Sequence, residues 1–188
     1  MLLVLEFEME KMEKIKPIVL LHDEFTDSEL ATSLNLCYNC STCSTICPVA
    51  LQTEGNFNPR SIILLSNFGY EERLVIDLKP NVWDCSMCEL CQEACPEGVN
   101  LHEVFIKIKN ASASYLNIPK SYTSETNQVY LFGKAVPSQP VIEKRREQLG
   151  LPKSPSTDVE EIKKLMGMTP VEKILEDIEN LEKLAEEK

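Results

Sequence analysis

The sequence lacks any apolar run that approaches the ~20 residues needed to span a membrane. Its apolar opening, residues 1–5, is interrupted at once by Glu6, Glu8 and Glu10, which is not the pattern of a secretory signal peptide. We therefore expect a soluble, cytoplasmic protein that does not work in a membrane.

Two further absences exclude classes of ligand. No Gly-x-Gly-x-x-Gly run follows a strand-like segment and no Walker loop occurs, so a flavin or nucleotide site in this chain is unsupported. Positive charge is also scarce, since 19 Lys and Arg against 30 Asp and Glu give a net charge of -11. An acidic chain of this kind is not expected to bind nucleic acid or an anionic membrane surface.

What the sequence does contain is eight cysteines in two copies of one pattern, with none left over. The pattern is Cys-x2-Cys-x2-Cys-x3-Cys-Pro, and its two copies comprise Cys37, Cys40, Cys43 and Cys47, and then Cys85, Cys88, Cys91 and Cys95. This run is the bacterial-type iron-sulfur signature, in which three thiolates bind one cluster and the fourth binds the other. Because every cysteine is used in this way, no thiol remains to act as a nucleophile.

The signature predicts two 4Fe-4S clusters with crossed ligands. Cluster one is predicted to be held by Cys37, Cys40, Cys43 and Cys95, and cluster two by Cys85, Cys88, Cys91 and Cys47. Zinc is the main alternative, although zinc ribbons use separated Cys-x2-Cys pairs without a third cysteine at the same step. Disulfides also suit an even cysteine count, but they belong to secreted chains. His22 and His102 would be needed as iron ligands only if a cysteine set were incomplete.

Helix-capping patterns predict a mainly α fold around these motifs. They place a helix after Thr26-x-x-Glu29, a second after Asn58-Pro59, a short third from Glu71 to Asp77, and a fourth after Asn100-x-x-Glu103. The predicted organisation is an N-terminal arm over residues 1–25, an α-helical ferredoxin domain with two 4Fe-4S clusters over 26–117, and a C-terminal extension over 118–188 with extended and helical parts. Trp83 is expected to pack either over a cluster or in the ordinary core.

The predicted C-terminal extension has two parts. Residues 118–155 are rich in proline and contain a strand-like run at 129–132, so we expect a segment that wraps along its own domain or a partner, or a flexible linker. Capping boxes at Thr157-x-x-Glu160 and Thr169-x-x-Glu172 then predict two helices. The second carries an apolar stripe, for which we expect cover from a partner rather than from its own domain, made of Val171, Ile174, Leu175, Ile178, Leu181 and Ala185.

The spacer between the motifs, residues 48–84, is predicted to be helical, and at this point the chain resembles the α-helical ferredoxin domains of respiratory and methanogenic electron-transfer subunits. More closely, it is similar to the C-type iron-sulfur subunit of the soluble heterodisulfide reductase of methanogens. The similarity lies in residues 37–40, 58–60, 83–85 and 95–99, with a weaker match at 148–152. One departure is Ser41, which stands where glycine is expected in this family.

The resemblance implies an iron-sulfur subunit that relays electrons and performs no catalysis itself. The implied donor is a flavin-containing subunit, and the implied acceptor is a cysteine-rich catalytic subunit that reduces the CoM-S-S-CoB heterodisulfide in methanogenesis. The alternative is an iron-sulfur electron-transfer subunit of another flavin-linked dehydrogenase, one that acts on a hydroxy acid or on glycerol phosphate. Co-purifying chains would distinguish the two.

Overall fold

The structure is a computed structural model of the chain and describes residues 29–186. The predicted N-terminal arm, the predicted cap Thr26, and His22 lie outside these residues. The chain divides into two compact units, the first ending at Asn117 and the second beginning at Ile118. Within residues 29–186 the regular structure is helical and contains no strand, which confirms the predicted mainly α fold. No helix among these residues is long and apolar enough to cross a membrane.

Short helices joined by tight loops make up residues 29–117, the part of the first unit that the structure describes. A single 3-10 turn at Val82–Asp84 leads into the second cysteine motif. The helices are α1 Glu29–Asn35, α2 Thr42–Ile46, α3 Pro48–Gln52, α4 Pro59–Asn67, α5 Glu71–Val75, α6 Leu90–Glu93 and α7 Leu101–Ser114.

Helix α4 begins where the sequence predicts it. Asn58 Oδ1 accepts a hydrogen bond from the Ser61 N–H at 3.2 Å, and Pro59 occupies the first helical position. Ile62 and Ile63 are fully buried and turn the apolar face of α4 into the core. The spacer between the motifs is therefore an element of the core as well as a connection.

Helix α7 begins at the predicted place but with a different cap. The Asn100 side chain makes no capping hydrogen bond. Instead, Gln92 Oε1 accepts from the His102 N–H at 3.1 Å, and Ser33 Oγ accepts from the Asn100 N–H at 2.7 Å. Because these partners come from α6 and α1, the start of α7 is fixed by tertiary contacts.

The core of the first unit lies among α4, α5 and α7, below the cysteine loops. Phe57 and Phe105 meet edge to face with ring centroids 6.3 Å apart. Each fully buried aromatic or aliphatic side chain of this size contributes roughly 1.5–3 kcal/mol to stability. The other large side chains that are fully buried are Ile62, Ile63, Leu74, Val75, Val82, Val99, Leu101, Val104 and Ile108.

A partly buried group of polar side chains joins α5, the 3-10 turn and α7 at one end of this core. Asn117 Nδ2 donates to the carbonyl oxygens of Val75 and Ile76, both at 2.8 Å. Ser112 Oγ donates to the Asn117 carbonyl at 2.6 Å and accepts from Trp83 Nε1 at 3.2 Å. Because buried polar groups are costly when unpaired, these bonds hold α5, the 3-10 turn and α7 in one arrangement.

The second unit consists of α8 Lys120–Phe132, α9 Pro140–Gln148, α10 Val159–Gly167 and α11 Val171–Glu186. The prediction of a strand-like run at 129–132 is wrong, because these residues form the last turn of α8, which ends at the left-handed Gly133. A four-residue apolar run fits a strand or a buried helical turn equally well. The proline-rich stretch 118–155 thus contains two helices.

Helices α10 and α11 pack within their own unit. The cap of α10 is Asp158, whose Oδ1 accepts from the Glu160 and Glu161 N–H groups at 3.1 and 3.2 Å, so the predicted cap at Thr157 is one residue early. Tyr130 of α8 donates through its hydroxyl to Glu172 Oε1 at 2.7 Å. The described members of the apolar stripe on α11 are half-buried, namely Val171, Ile174, Leu175, Ile178 and Leu181. Part of their cover therefore comes from their own unit.

Candidate iron-sulfur sites

The structure gathers the eight cysteines into two pockets, each lined by four of them. Site one is lined by Cys37, Cys40, Cys43 and Cys95. Site two is lined by Cys85, Cys88, Cys91 and Cys47. Each pocket thus combines the first three cysteines of one motif with the fourth cysteine of the other. The two pockets are similar in size, as two copies of one motif should be.

The two cysteine loops share one backbone conformation. In the first loop Asn39 and Ser41 have positive φ angles of 67° and 71°, and in the second loop Met87 and Glu89, at the equivalent positions, have 57° and 62°. Left-handed backbone is uncommon outside glycine and costs roughly 1–2 kcal/mol per residue. The repetition of this strain at matching positions indicates that the turn is needed to bring three cysteines to one pocket.

The backbone of Ser41 explains why glycine is expected at this position. Its φ of 71° and ψ of 1° are left-handed, a conformation that glycine adopts without strain. In this chain Arg60 Nη1 donates to Ser41 Oγ at 2.7 Å, a contact that glycine could not make. Hydrogen bonds to charged groups contribute about 1.5–3 kcal/mol, enough to offset the backbone strain. The departure from glycine is therefore compensated locally.

A side-chain network connects the spacer helix α4 to site one. Ser44 Oγ donates to Asn58 Oδ1 at 2.6 Å and accepts from the Arg60 N–H at 3.2 Å. Ser44 directly follows Cys43, and Asn58 caps α4. The first loop is thus anchored to the start of a core helix.

The fourth cysteine of each motif also supports the backbone that follows it. Cys47 Sγ accepts from the Ala50 N–H and Cys95 Sγ accepts from the Val99 N–H, both at 3.4 Å. Val49 lines site two and Val99 lines site one, where they supply apolar cover. In both motifs the fourth cysteine therefore accepts a hydrogen bond from the backbone that follows it.

The thiols differ in exposure. The second cysteine of each motif, Cys40 or Cys88, is exposed, Cys47 is buried, and the other five cysteines are half-buried. The exposed thiol of each site is therefore the second cysteine of its motif. Thr42 Oγ1 lies 3.2 Å from Cys40 Sγ, and this hydrogen bond lowers the pKa of the Cys40 thiol.

The half-buried thiols of Cys43, Cys85 and Cys91 are unfavourable places for uncompensated negative charge. Burial raises the pKa of Cys43 and of Cys85, and it raises the pKa of Cys91 to about 12. The negative charges of neighbouring thiolates raise all three pKa values further, and the neighbours that act on Cys91 include Cys43 of site one. Four soft sulfur donors that need a compensating positive charge fit an iron-sulfur cluster.

Other conspicuous residues are placed away from the thiols. His102 Nε2 lies 3.5 Å from Glu89 Oε1 and does not line either cysteine pocket. Trp83 packs against the core and donates to Ser112, in keeping with the core-packing interpretation.

Sequence reasoning missed Lys109, whose Nζ donates to the Cys85 carbonyl at 3.0 Å. The available signal was its position one helical turn after the buried Phe105, on the apolar side of α7.

Comparison with known proteins supports the predicted family. A 4Fe-4S dicluster domain matches residues 33–99. The chain is 29% identical over 153 residues to a C-type iron-sulfur subunit of CoB–CoM heterodisulfide reductase from Methanocaldococcus jannaschii, covering 78% of this chain and 80% of that protein. It is 30% identical over 145 residues to a protein of Archaeoglobus profundus that is named for its likeness to the same heterodisulfide reductase subunit, covering 74% of each.

A third relative is the C-type subunit of the H2:CoB-CoM heterodisulfide, ferredoxin reductase of Methanothermobacter marburgensis. It is 28% identical over 149 residues, or 76% of this chain and 78% of that protein. These similarities extend well beyond the cysteine motifs into the second unit, and they confirm the resemblance drawn from the flanking residues. The chain belongs to the family of C-type iron-sulfur subunits of heterodisulfide reductase.

Proposed function

We propose that this protein is the electron-relay subunit of a cytoplasmic CoB-CoM heterodisulfide reductase complex. Its electron donor is a flavin-containing subunit, and its acceptor is a cysteine-rich catalytic subunit that reduces the CoM-S-S-CoB heterodisulfide. The observation that carries the proposal is the pair of crossed four-thiol pockets, in a chain whose relatives are named as heterodisulfide reductase subunits. Those names also favour this complex over another flavin-linked dehydrogenase.

In the proposed function Cys37, Cys40, Cys43 and Cys95 hold one cluster, and Cys85, Cys88, Cys91 and Cys47 hold the other. Bound 4Fe-4S clusters supply reversible one-electron transfer. Two such transfers, with two protons, convert one heterodisulfide into two thiols at the catalytic subunit. The exposed Cys40 and Cys88 give each site its own surface edge, which suits a relay that meets its donor on one side and its acceptor on the other.

The proximity of the two sites supports transfer between them. Helices α2 and α6, one from each motif, pack against each other. The charge of Cys43 at site one also affects the pKa of Cys91 at site two. All eight thiols line the two pockets, so none is left for disulfide chemistry on a substrate.

The crossed ligation can be tested with matched pairs of alanine variants. Cys47→Ala should remove the same cluster as Cys91→Ala, because both thiols line site two, and Cys95→Ala should remove the same cluster as Cys43→Ala. Each variant should retain about half of the wild-type iron. The measurement is iron and sulfide content together with EPR spectra of the anaerobically reduced protein. If the spectrum of Cys47→Ala matched that of Cys43→Ala, the crossed assignment would be wrong.

The relay role predicts electron uptake without substrate chemistry. The purified chain, free of other subunits, should be reduced by a low-potential chemical donor and reoxidised by a one-electron acceptor. It should release no CoM or CoB thiol from the heterodisulfide, since it has no thiol outside the two sites. Thiol release is measured colorimetrically against the complete complex as positive control. Multiple turnovers by the isolated chain would move catalysis into this subunit.

The C-terminal helices are proposed to dock on a partner subunit. Leu165 and Met168 are exposed by 55% and 78% at the end of α10, so the contacts within the second unit leave apolar surface uncovered. Removal of all residues after Pro155 should leave both clusters intact in EPR, because every cysteine lies in the first unit. The same truncation should reduce co-purification of the other subunits by severalfold.

A milder variant separates docking from folding in this experiment. Leu165→Ser with Met168→Ser keeps both helices and should also weaken co-purification, whereas Lys164→Ser, an exposed neighbour, should not. Unchanged co-purification of the truncated chain, or loss of its clusters, would contradict docking through these helices.

A further inference from the structure

Lys109 places a positive charge directly beside site two. Its Nζ donates to the Cys85 carbonyl at 3.0 Å and lies 5.6 Å from the centre of the Trp83 ring. The side chain is half-buried on the core side of α7, where a lysine is expected only if its charge has partners. Cys85 is the first cysteine of the second motif, so this contact holds the start of the loop that forms the pocket.

The surrounding fold fixes the position of the ammonium group. Phe105 and Ile108, which precede Lys109 on α7, are fully buried. Ser112, one turn later, accepts a hydrogen bond from Trp83 Nε1 at 3.2 Å. Helix α7 therefore holds the indole N–H through Ser112 and one face of the ring through Lys109. Because the Trp83 turn leads directly into Cys85, Lys109 contacts both this turn and the first residue of the loop that follows it.

The charges around Lys109 indicate an electrostatic role at this site. The ammonium lies 3.0 Å from the main chain of Cys85, one of the four cysteines of site two, and the carboxylate-bearing Asp84 directly precedes Cys85. Because the lysine is half-buried, its charge is screened less by water than that of an exposed cation. Lys109 therefore interacts with negative charge that develops at site two.

The two sites differ in how their cations are held. At site one the cation that lines the pocket is Arg60, whose guanidinium donates to a serine hydroxyl at 2.7 Å. At site two the ammonium of Lys109 donates to the main chain of Cys85 itself. The loops are otherwise alike, with left-handed residues at matching positions. The contact of Lys109 with the main chain of Cys85 therefore distinguishes site two from site one.

We propose that Lys109 raises the reduction potential of the cluster at site two and so favours residence of the electron there. The inference rests on the proposed binding of a cluster by Cys85, Cys88, Cys91 and Cys47. Addition of an electron adds negative charge, and a cation in a partly buried setting attracts that charge more strongly than the same cation would in bulk water. Lys109 is a positioning residue: it touches the main chain of a ligand and acts on the cluster through its charge.

The test is an EPR-monitored redox titration of the full-length protein with both clusters assembled anaerobically. Lys109→Gln should shift the midpoint potential of site two in the negative direction and leave that of site one in place. Lys109→Arg keeps the positive charge and should restore a potential close to the wild-type value. The site-two signal is identified as the one that remains in Cys95→Ala and disappears in Cys47→Ala.

Arg60→Gln is the matched control, because it removes a cation of the same first unit from the other pocket. It should leave the potential of site two unchanged. An unchanged site-two potential in Lys109→Gln would overturn the inference, and so would equal negative shifts in the Gln and Arg variants, since the cause would then be packing. The absence of any cluster signal from site two in the wild-type protein would instead contradict the proposed function.

Discussion

The exchange of the fourth cysteine between the two motifs is the constraint on which the rest of the first unit depends. Cys47 must reach the pocket of the second motif while Cys95 reaches the pocket of the first. Both can do so only if the spacer folds back and brings the loops side by side. Helices α4 and α5 achieve this by burying Ile62, Ile63 and Leu74 against α7. The core and the two sites are therefore parts of one folding unit, so we expect cluster binding and folding to be coupled.

Electrostatics explains why these pockets suit a metal cluster. Burial and mutual repulsion raise the pKa of Cys43, Cys85 and Cys91, so the pockets are poor sites for bare thiolates. A cationic iron core held by these thiols would offset both effects, and Lys109 places a further positive charge beside site two. The left-handed residues in the loops add backbone strain that iron-sulfur bonds can outweigh. The same features that disfavour bare thiolates in these pockets make the pockets suitable for a metal cluster.

The sequence predicts those features that local chemistry determines. The cysteine spacing predicts both four-thiol groups, and Asn58-Pro59 predicts the start of α4, because the cap and the proline act within one turn. Features set by distant residues are not predictable in this way. Gln92 caps α7 in place of Asn100, and Lys109 reaches Cys85 across the core. The short apolar run at 129–132 suggests a strand but forms a helical turn, because four apolar residues alone do not distinguish the two.

The central claim is that two 4Fe-4S clusters occupy the crossed pockets of this one chain. Mössbauer spectroscopy of the full-length protein assembled anaerobically with 57Fe and sulfide tests it most directly, when combined with iron and sulfide counts. The account predicts about eight iron and eight sulfide per chain, with all iron in tetrahedral sulfur coordination of the 4Fe-4S type. About four iron per chain, or tightly bound zinc without sulfide, would contradict it.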